Sequence, residues 1–307
     1  MNKLEANVSL FIITFFAAIQ YAFLSGVPAD VSHFAFLCIT NLIGFLLVLA
    51  MFFSELFRLD SKLIKQSAIL SAELFGFNFF ILLGAKDVDT TVTACVLSSY
   101  FVFVPPLAYL LFKQKPDMNS VAGIAIVLVG IFFMMNCNAH GLLKINILYL
   151  VIADVFFAIY ILTAGMFSTG SNPSILALGQ LYFNFIFALV CWAAELMLTH
   201  KTLSLPRTPA FWGSVIFISF FIRGLYTVIQ IYAQRYVSAL NTSLIFSTEI
   251  IMTMAATPFL TKLFNLQAEE GNITPNRIVG AFIMLAGILV SDSSVMEAIL
   301  KKRRTAP

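Results

Sequence analysis

Charge is what this chain of 307 residues most lacks: only 11% of it is Asp, Glu, Lys or Arg. A soluble domain carries about a quarter, so there is too little polar surface to cover a water-soluble globule. Cysteine is scarce. Cys38, Cys95, Cys137 and Cys191 lie in or at the ends of apolar runs, with no C-x-x-C pair. That argues against a disulfide framework or a thiolate metal site. Histidine is scarcer still. His33, His140 and His200 sit at the ends of apolar runs or between them, and neither H-E-x-x-H nor G-x-S-x-G occurs. Those gaps leave no metal site, cofactor motif or nucleophile set for an intramembrane enzyme. No G-x-x-x-x-G-K-[ST] loop is present, so nothing points to ATP as a direct energy source. The net charge of +3 says little, and the cluster Lys301-Lys302-Arg303-Arg304 reads as a topology signal, not a nucleic-acid site.

What is present is apolar. The chain is 60% hydrophobic, with a mean hydropathy of +0.95. A membrane crossing needs roughly 20 mostly apolar residues. Ten runs approach that length, at residues 7–25, 33–53, 66–84, 92–112, 121–137, 145–163, 175–198, 211–233, 239–260 and 276–294. Lipid offers no partner for backbone N–H and C=O groups, so runs this apolar must be helices. A barrel would show shorter, alternating segments. The first run follows Met1-Asn2-Lys3 without a small-x-small cleavage site, and reads as a retained first helix. With a cytoplasmic N-terminus, eleven basic residues fall inside: Lys3, Arg58, Lys62, Lys65, Lys113, Lys115, Arg235 and the four from Lys301 to Arg304. Six fall outside: Lys86, Lys144, Lys201, Arg207, Lys262 and Arg277. The bias predicts a multi-pass protein of the cell (inner) membrane with both termini cytoplasmic.

The chain repeats itself. "GIAIVLVGIFF" from Gly123 matches "GAFIMLAGILV" from Gly280, so that Gly123 and Gly130 are answered by Gly280 and Gly287, 157 positions on. "AKDVDTTVTACVL" from Ala85 matches "AQRYVSALNTSLI" from Ala233 at an offset of 148, and an insertion near "NLQAEEGNI" absorbs the difference. Two five-helix repeats follow, residues 1–140 and 141–307. An odd number of spans turns the second repeat upside down. The expected fold is an all-α integral membrane protein of ten transmembrane helices in two inverted-topology repeats. That plan is common among transporters, with the substrate near the midplane between the halves. The glycines themselves read as close helix packing. They leave room for a homodimer through spans five and ten, or for packing within one chain.

The stretches "YAQRYVSALNTSLIFSTEII" (Tyr232–Ile251) and "TPNRIVGAFIMLAGILV" (Thr274–Val290) resemble the second half of EamA-type carriers of the drug/metabolite transporter superfamily. The resemblance implies tandem five-helix repeats, ten spans, cytoplasmic ends, and carriage of small organic solutes, often efflux of amino acids or their relatives. It picks out Glu249. Ile250 stands where a proline often follows that glutamate, and Gln114 where an acidic residue often follows span four. Glu269 and Glu270 lie near the equivalent place in the second half, displaced by the insertion.

Ionisable groups inside spans are costly and are functional candidates, about 2.5–3.5 kcal/mol each on insertion scales. Glu73, Asp154, Arg223 and Glu249 lie well inside runs, and Glu195 near the end of span seven, where it reads as reaching the interface. Arg223 shares a helical face with Tyr226 and Gln230 at i, i+3 and i+7. A guanidinium fork suits a substrate carboxylate. The competing reading is a permanent ion pair with Glu249, Glu73 or Asp154. At the offset of 148, Glu73 matches Phe221, Arg223 matches Phe75 and Asn78 matches Tyr226, so the two charges occupy near-equivalent places in spans three and eight. Glu73, Asn78, Arg223 and Tyr226 form the expected substrate site, suited to a zwitterion. Gln20 and Asn184 are the further binding candidates, set against a role as interhelical glue, as for Asn41 and Gln180. Glu249 and Asp154 are candidates for proton coupling, set against structural hydrogen bonds. Pro105-Pro106 and Pro258 should bend spans four and nine, which are repeat-equivalent.

The reading that unites these features is a secondary active transporter, not an enzyme. It would move an amino acid, related zwitterion or organic ion, with efflux favoured, across the bilayer by alternating access. A non-transporting multi-pass receptor or scaffold is the alternative; it would keep its polar groups in loops.

Overall fold

Apolar runs bounded by capping residues set the helix limits in the computed structural model of this chain. It describes residues 1–24, 27–28, 30–85, 93, 96–97, 99–113, 118–134, 145–199, 205–264 and 274–291. Ser32, Asp60, Thr208 and Ser238 precede helices and accept backbone N–H bonds from Ala35, Leu63, Phe211 and Asn241 at 3.2, 2.7, 3.4 and 3.3 Å. The helices are α1 (Lys3–Leu24), α2 (His33–Phe52), α3 (Ser61–Gly84), α4 (Val104–Phe112), α5 (Met118–Met134), α6 (Ile145–Gly170) and α7 (Pro173–Thr199). They continue as α8 (Pro209–Ala233), α9 (Ala239–Ser247), α10 (Glu249–Phe264) and α11 (Pro275–Ser291). A 3-10 turn, Phe53–Arg58, prolongs α2.

Among the described residues six helices are long and apolar enough to cross a membrane: α1, α2 with its 3-10 extension, α3, α6, α7 and α8. The apolar runs four, five, nine and ten fall on shorter helices. The chain is a multi-pass membrane protein whose regular structure, among the described residues, is all helical.

Spans four and nine are both broken, span four just before its prolines and span nine upstream of position 258. In span four a 3-10 turn, Tyr100–Val102, precedes α4, and Pro105 and Pro106 start that helix, where a missing N–H costs nothing. In span nine the backbone is helical through position 258, while the side chain of Pro258 lies outside the described residues. The break falls at Thr248, between α9 and α10. Hydroxyls accompany the break in span nine. Ser247 donates to the Leu244 carbonyl at 2.7 Å, and Thr248 to that of Ile245 at 2.6 Å. Such back-bonds compete with the helical ladder and bend it.

Contacts fix the helix directions. α2 runs antiparallel to α7, with Cys38 beside Ala188 and Phe45 against Tyr182 at 5.6 Å. α3 runs parallel to α7, with the Ser71 hydroxyl donating to the Gln180 carbonyl at 2.5 Å and Phe75 against Phe187 at 5.7 Å. α2 runs parallel to α8, with Phe36 against Phe211 at 6.2 Å and Gly44 against Arg223. α3 and α8 therefore point in opposite directions. α6 lies antiparallel on α3, and α1 antiparallel on α8 through Phe23–Phe217 at 4.0 Å and Phe16–Phe221 at 4.6 Å.

α5 and α11 pack through the two matched glycine stretches. A Cβ on Gly130 would lie 2.8 Å from the Gly280 carbonyl oxygen, and one on Gly287 would lie 2.8 Å from that of Gly123. The contact is antiparallel and reciprocal. The glycine faces of spans five and ten are thus covered by each other within the chain.

Candidate functional site

A chain of buried polar side chains crosses the centre of the bundle. Gln180 on α7 donates to the Tyr160 hydroxyl at 3.0 Å, and Tyr160 on α6 donates to Gln230 Oε1 on α8 at 3.3 Å. All three are essentially unexposed. Buried amides need partners, and these ties hold three helices in register. Thr163, one turn on from Tyr160, donates to Glu73 Oε2 at 2.5 Å, which brings α3 into the same network. Nε2 of Gln230 is buried without a hydrogen bond.

Arg223 stands apart from that network. Residues Ile218–Tyr226 of α8 are wound as a π-helix, a wide coil with i→i+5 bonds, common at functional sites. The wider winding breaks the face expected for Arg223, Tyr226 and Gln230. The Arg223 Cβ packs on Gly44 of α2, the Tyr226 ring lies 5.4 Å from that of Phe246, and Gln230 bonds Tyr160. Arg223 is half-buried, and its Nε is enclosed with no hydrogen-bond partner.

The ion pairs among the described residues are the N-terminus with Glu5 and Arg58 with Glu55; neither involves Arg223. Arg223 and Glu73 are therefore not paired in this structure. Their near-equivalent positions explain why. Helical side chains lean toward the N-terminus of their own helix. α3 and α8 run in opposite directions, so the carboxylate leans toward one end of the bundle and the guanidinium toward the other.

The remaining candidates are dispersed. Asn78 donates to the Leu74 carbonyl at 2.7 Å, one turn back on its own helix. Asn184 on α7 is buried and Gln20 on α1 half-buried, and neither makes a side-chain hydrogen bond among the described residues. Asp154 is fully buried on α6. Its Oδ2 accepts from Ser99 at 2.8 Å, and its Oδ1 has no hydrogen bond. Glu249 opens α10, directly after the break in span nine. Gln114, Glu269 and Glu270 lie outside the described residues, as do Cys95, Cys137, His140 and His200.

Three groups carry more than their sequence positions suggested. Glu195, near the end of α7, accepts a hydrogen bond from Ser32, the residue that caps α2. His33 follows Ser32 at the start of α2, and its Nε2 is buried without a hydrogen bond among the described residues. The signal was available in the spacing of Ala188 and Glu195, which places both on the α7 face that meets α2.

At the opposite end of α2 a cavity of about 600 Å³ opens among Glu55, Arg58, the 170–174 turn, Tyr232 and Arg235. Asn172 donates to Glu55 at 2.8 Å, Ser171 to Gln66 at 2.7 Å, and the Ser174 and Tyr232 hydroxyls meet at 2.6 Å. Among the described residues no three His, Cys, Asp or Glu side chains gather as metal ligands would.

Comparison with known proteins places these features. Residues 5–136 match the EamA-like transporter family. An uncharacterized transporter of Archaeoglobus fulgidus is 23% identical over 219 residues, 71% of this chain. The match spans 65% of that relative, less than two thirds of its length. A crystal structure of another protein superposes with a TM-score of 0.72 over 95% of this chain and 98% of its own. At 14% identity that likeness shows the fold alone.

Proposed function

We propose that this chain, an EamA-type member of the drug/metabolite transporter superfamily and hence a membrane transporter, is a secondary active carrier working by alternating access between two inverted halves. The proposed halves are residues 1–140 and 141–307, with ten spans, in the cell (inner) membrane with both termini cytoplasmic. The reciprocal glycine contact carries the reading: Gly130 meets Gly280 as Gly287 meets Gly123. A two-fold axis in the membrane plane generates that pattern, and inverted-repeat carriers are built on one. Other pairings support the same axis. α3 packs on α6 and α7 as α8 packs on α1 and α2, and the two sets agree in direction.

The proposed cargo is a small organic metabolite, an amino acid or related zwitterion or organic ion, and the proposed direction is efflux. Arg223, without a counter-ion among the described residues, supports an anionic group on the cargo. Glu73, Asn78, Tyr226, Gln20 and Asn184 are proposed to line the path, and Asp154 and Glu249 to handle protons.

Reconstitution into liposomes tests the reading, with uptake of amino acids and small organic ions measured with and without a pH gradient. Arg223→Ala and Glu73→Gln should abolish uptake while the purified protein stays folded. Normal transport by both variants contradicts the proposed site, and no flux of any solute contradicts the carrier.

A further inference from the structure

Asn41 on α2 is 3% exposed, and its Nδ2 donates to the Leu37 carbonyl at 2.7 Å. That bond fixes which atom of the amide is oxygen, and the oxygen, Oδ1, is buried with no partner. One turn further along α2, Gly44 meets the Cβ of Arg223. α2 and α8 are parallel, and a helical arginine leans toward its own N-terminus. The guanidinium therefore leads from the level of Gly44 toward that of Asn41, one turn nearer the α2 N-terminus. One enclosed N–H of a cation, Nε of Arg223, and one buried neutral acceptor, Oδ1 of Asn41, thus lie without hydrogen bonds on one stretch of the α2–α8 seam.

Buried polar groups are nearly always hydrogen-bonded, and each exception calls for an explanation. These two unpartnered atoms are complementary in kind. Arg223 Nε needs an acceptor, and Asn41 Oδ1 needs a donor. An α-amino acid supplies both on adjacent atoms: its carboxylate for the guanidinium, its ammonium for the amide oxygen. We infer that Arg223 and Asn41 together form the recognition pair for the zwitterionic backbone of an amino acid, with His33 and the Ser32-held Glu195 as the wall at the α2 N-terminal end. The inference rests on the carrier reading and narrows its cargo class. An amide oxygen, unlike a carboxylate, leaves the arginine uncompensated, so the pair favours zwitterions and anions over free amines.

Binding can be measured without transport. Purified protein is incubated with a labelled mixture of the twenty amino acids, and a retained amino acid is then competed with its deamino carboxylic acid. Arg223→Gln should lose both ligands. Asn41→Leu should weaken the amino acid about 10- to 100-fold, the size of a lost hydrogen bond to a charged group, and leave the deamino acid nearly unchanged. Asn41→Asp should lose both, because the new carboxylate occupies Arg223. Retention of no amino acid by the wild type overturns the inference, as does equal weakening of both ligands by Asn41→Leu. The same mixture in proteoliposomes separates the two readings. Binding without flux sinks the carrier alone, and flux that survives Asn41→Leu and Asn41→Asp sinks the recognition pair alone.

Discussion

A side chain on residue 44 and the side chain of Arg223 cannot coexist as the two helices stand, since a Cβ on Gly44 would lie 2.6 Å from the Cβ of Arg223. The absence of a side chain at Gly44 is what lets α8 bring its only arginine against α2. Overpacking of this kind costs about 1–3 kcal/mol. Gly44→Ala should lower the melting temperature of the detergent-purified protein, and the loss should shrink when Arg223→Gly is added. A neutral Gly44→Ala would show that the contact is not close.

The α5–α11 seam is tighter, because the obstructing atoms are backbone. Gly130→Ala and Gly287→Ala should each destabilise by about 1–3 kcal/mol, and by similar amounts, since each meets the equivalent pair of residues on the other helix. Thermal unfolding of the two variants side by side is the measurement. A large cost at one glycine and none at the other would contradict the reciprocity.

Tyr160→Phe keeps the ring and removes the hydroxyl between Gln180 and Gln230. It strips the Gln230 side chain of its one described hydrogen bond while its Nε2 is already unpartnered. A buried group left unsatisfied costs about 1–3 kcal/mol, so the variant should melt lower. An unchanged midpoint would mean that the three helices do not depend on this link.

Glu73→Gln retains an acceptor for Thr163 and should fold normally, whereas Thr163→Val removes the donor to Glu73 and should lower the melting temperature. The pair separates charge from structure. Lost uptake in Glu73→Gln with an unchanged midpoint assigns the role to the charge, and parallel losses of both assign it to the fold.

Asp154→Asn still offers an oxygen to Ser99. Uptake driven by a pH gradient should fall in this variant while exchange of labelled for unlabelled solute persists. Gradient-driven uptake at wild-type level would remove Asp154 from proton handling.

Much of this was legible in the residues. Runs such as 33–53, 145–163 and 175–198 coincide with α2, α6 and α7 to within a few positions, except that α6 continues to Gly170. The reason is plain: lipid enforces helix wherever the chain is apolar for long enough. The matched glycines announced their seam because only a missing side chain admits such an approach. The family match falls on residues 5–136, although the motifs that carried the resemblance lie between Tyr232 and Val290. Other features depend on backbone bonding and on direction. The π winding of Ile218–Tyr226 has no marker in "ISFFIRGLY". The break at Thr248 is accompanied by hydroxyl back-bonds and lies upstream of position 258. Glu73 and Arg223 sit at matched positions yet lean apart, because their helices point oppositely. Glu195 meets Ser32 across the α2–α7 seam.

Under the proposed carrier reading, the reciprocal seam also sets what a transport cycle would leave alone. If the halves exchange conformations about the proposed axis, any contact lying on that axis maps onto itself. The α5–α11 and α2–α7 pairs are of that kind, and each keeps one geometry throughout. The α3–α6 and α1–α8 pairs are mirror partners in time, each adopting at one end of the cycle what the other adopts at the opposite end. The glycine seam would then be the fulcrum, and its rigidity, not its flexibility, is what such a cycle would require.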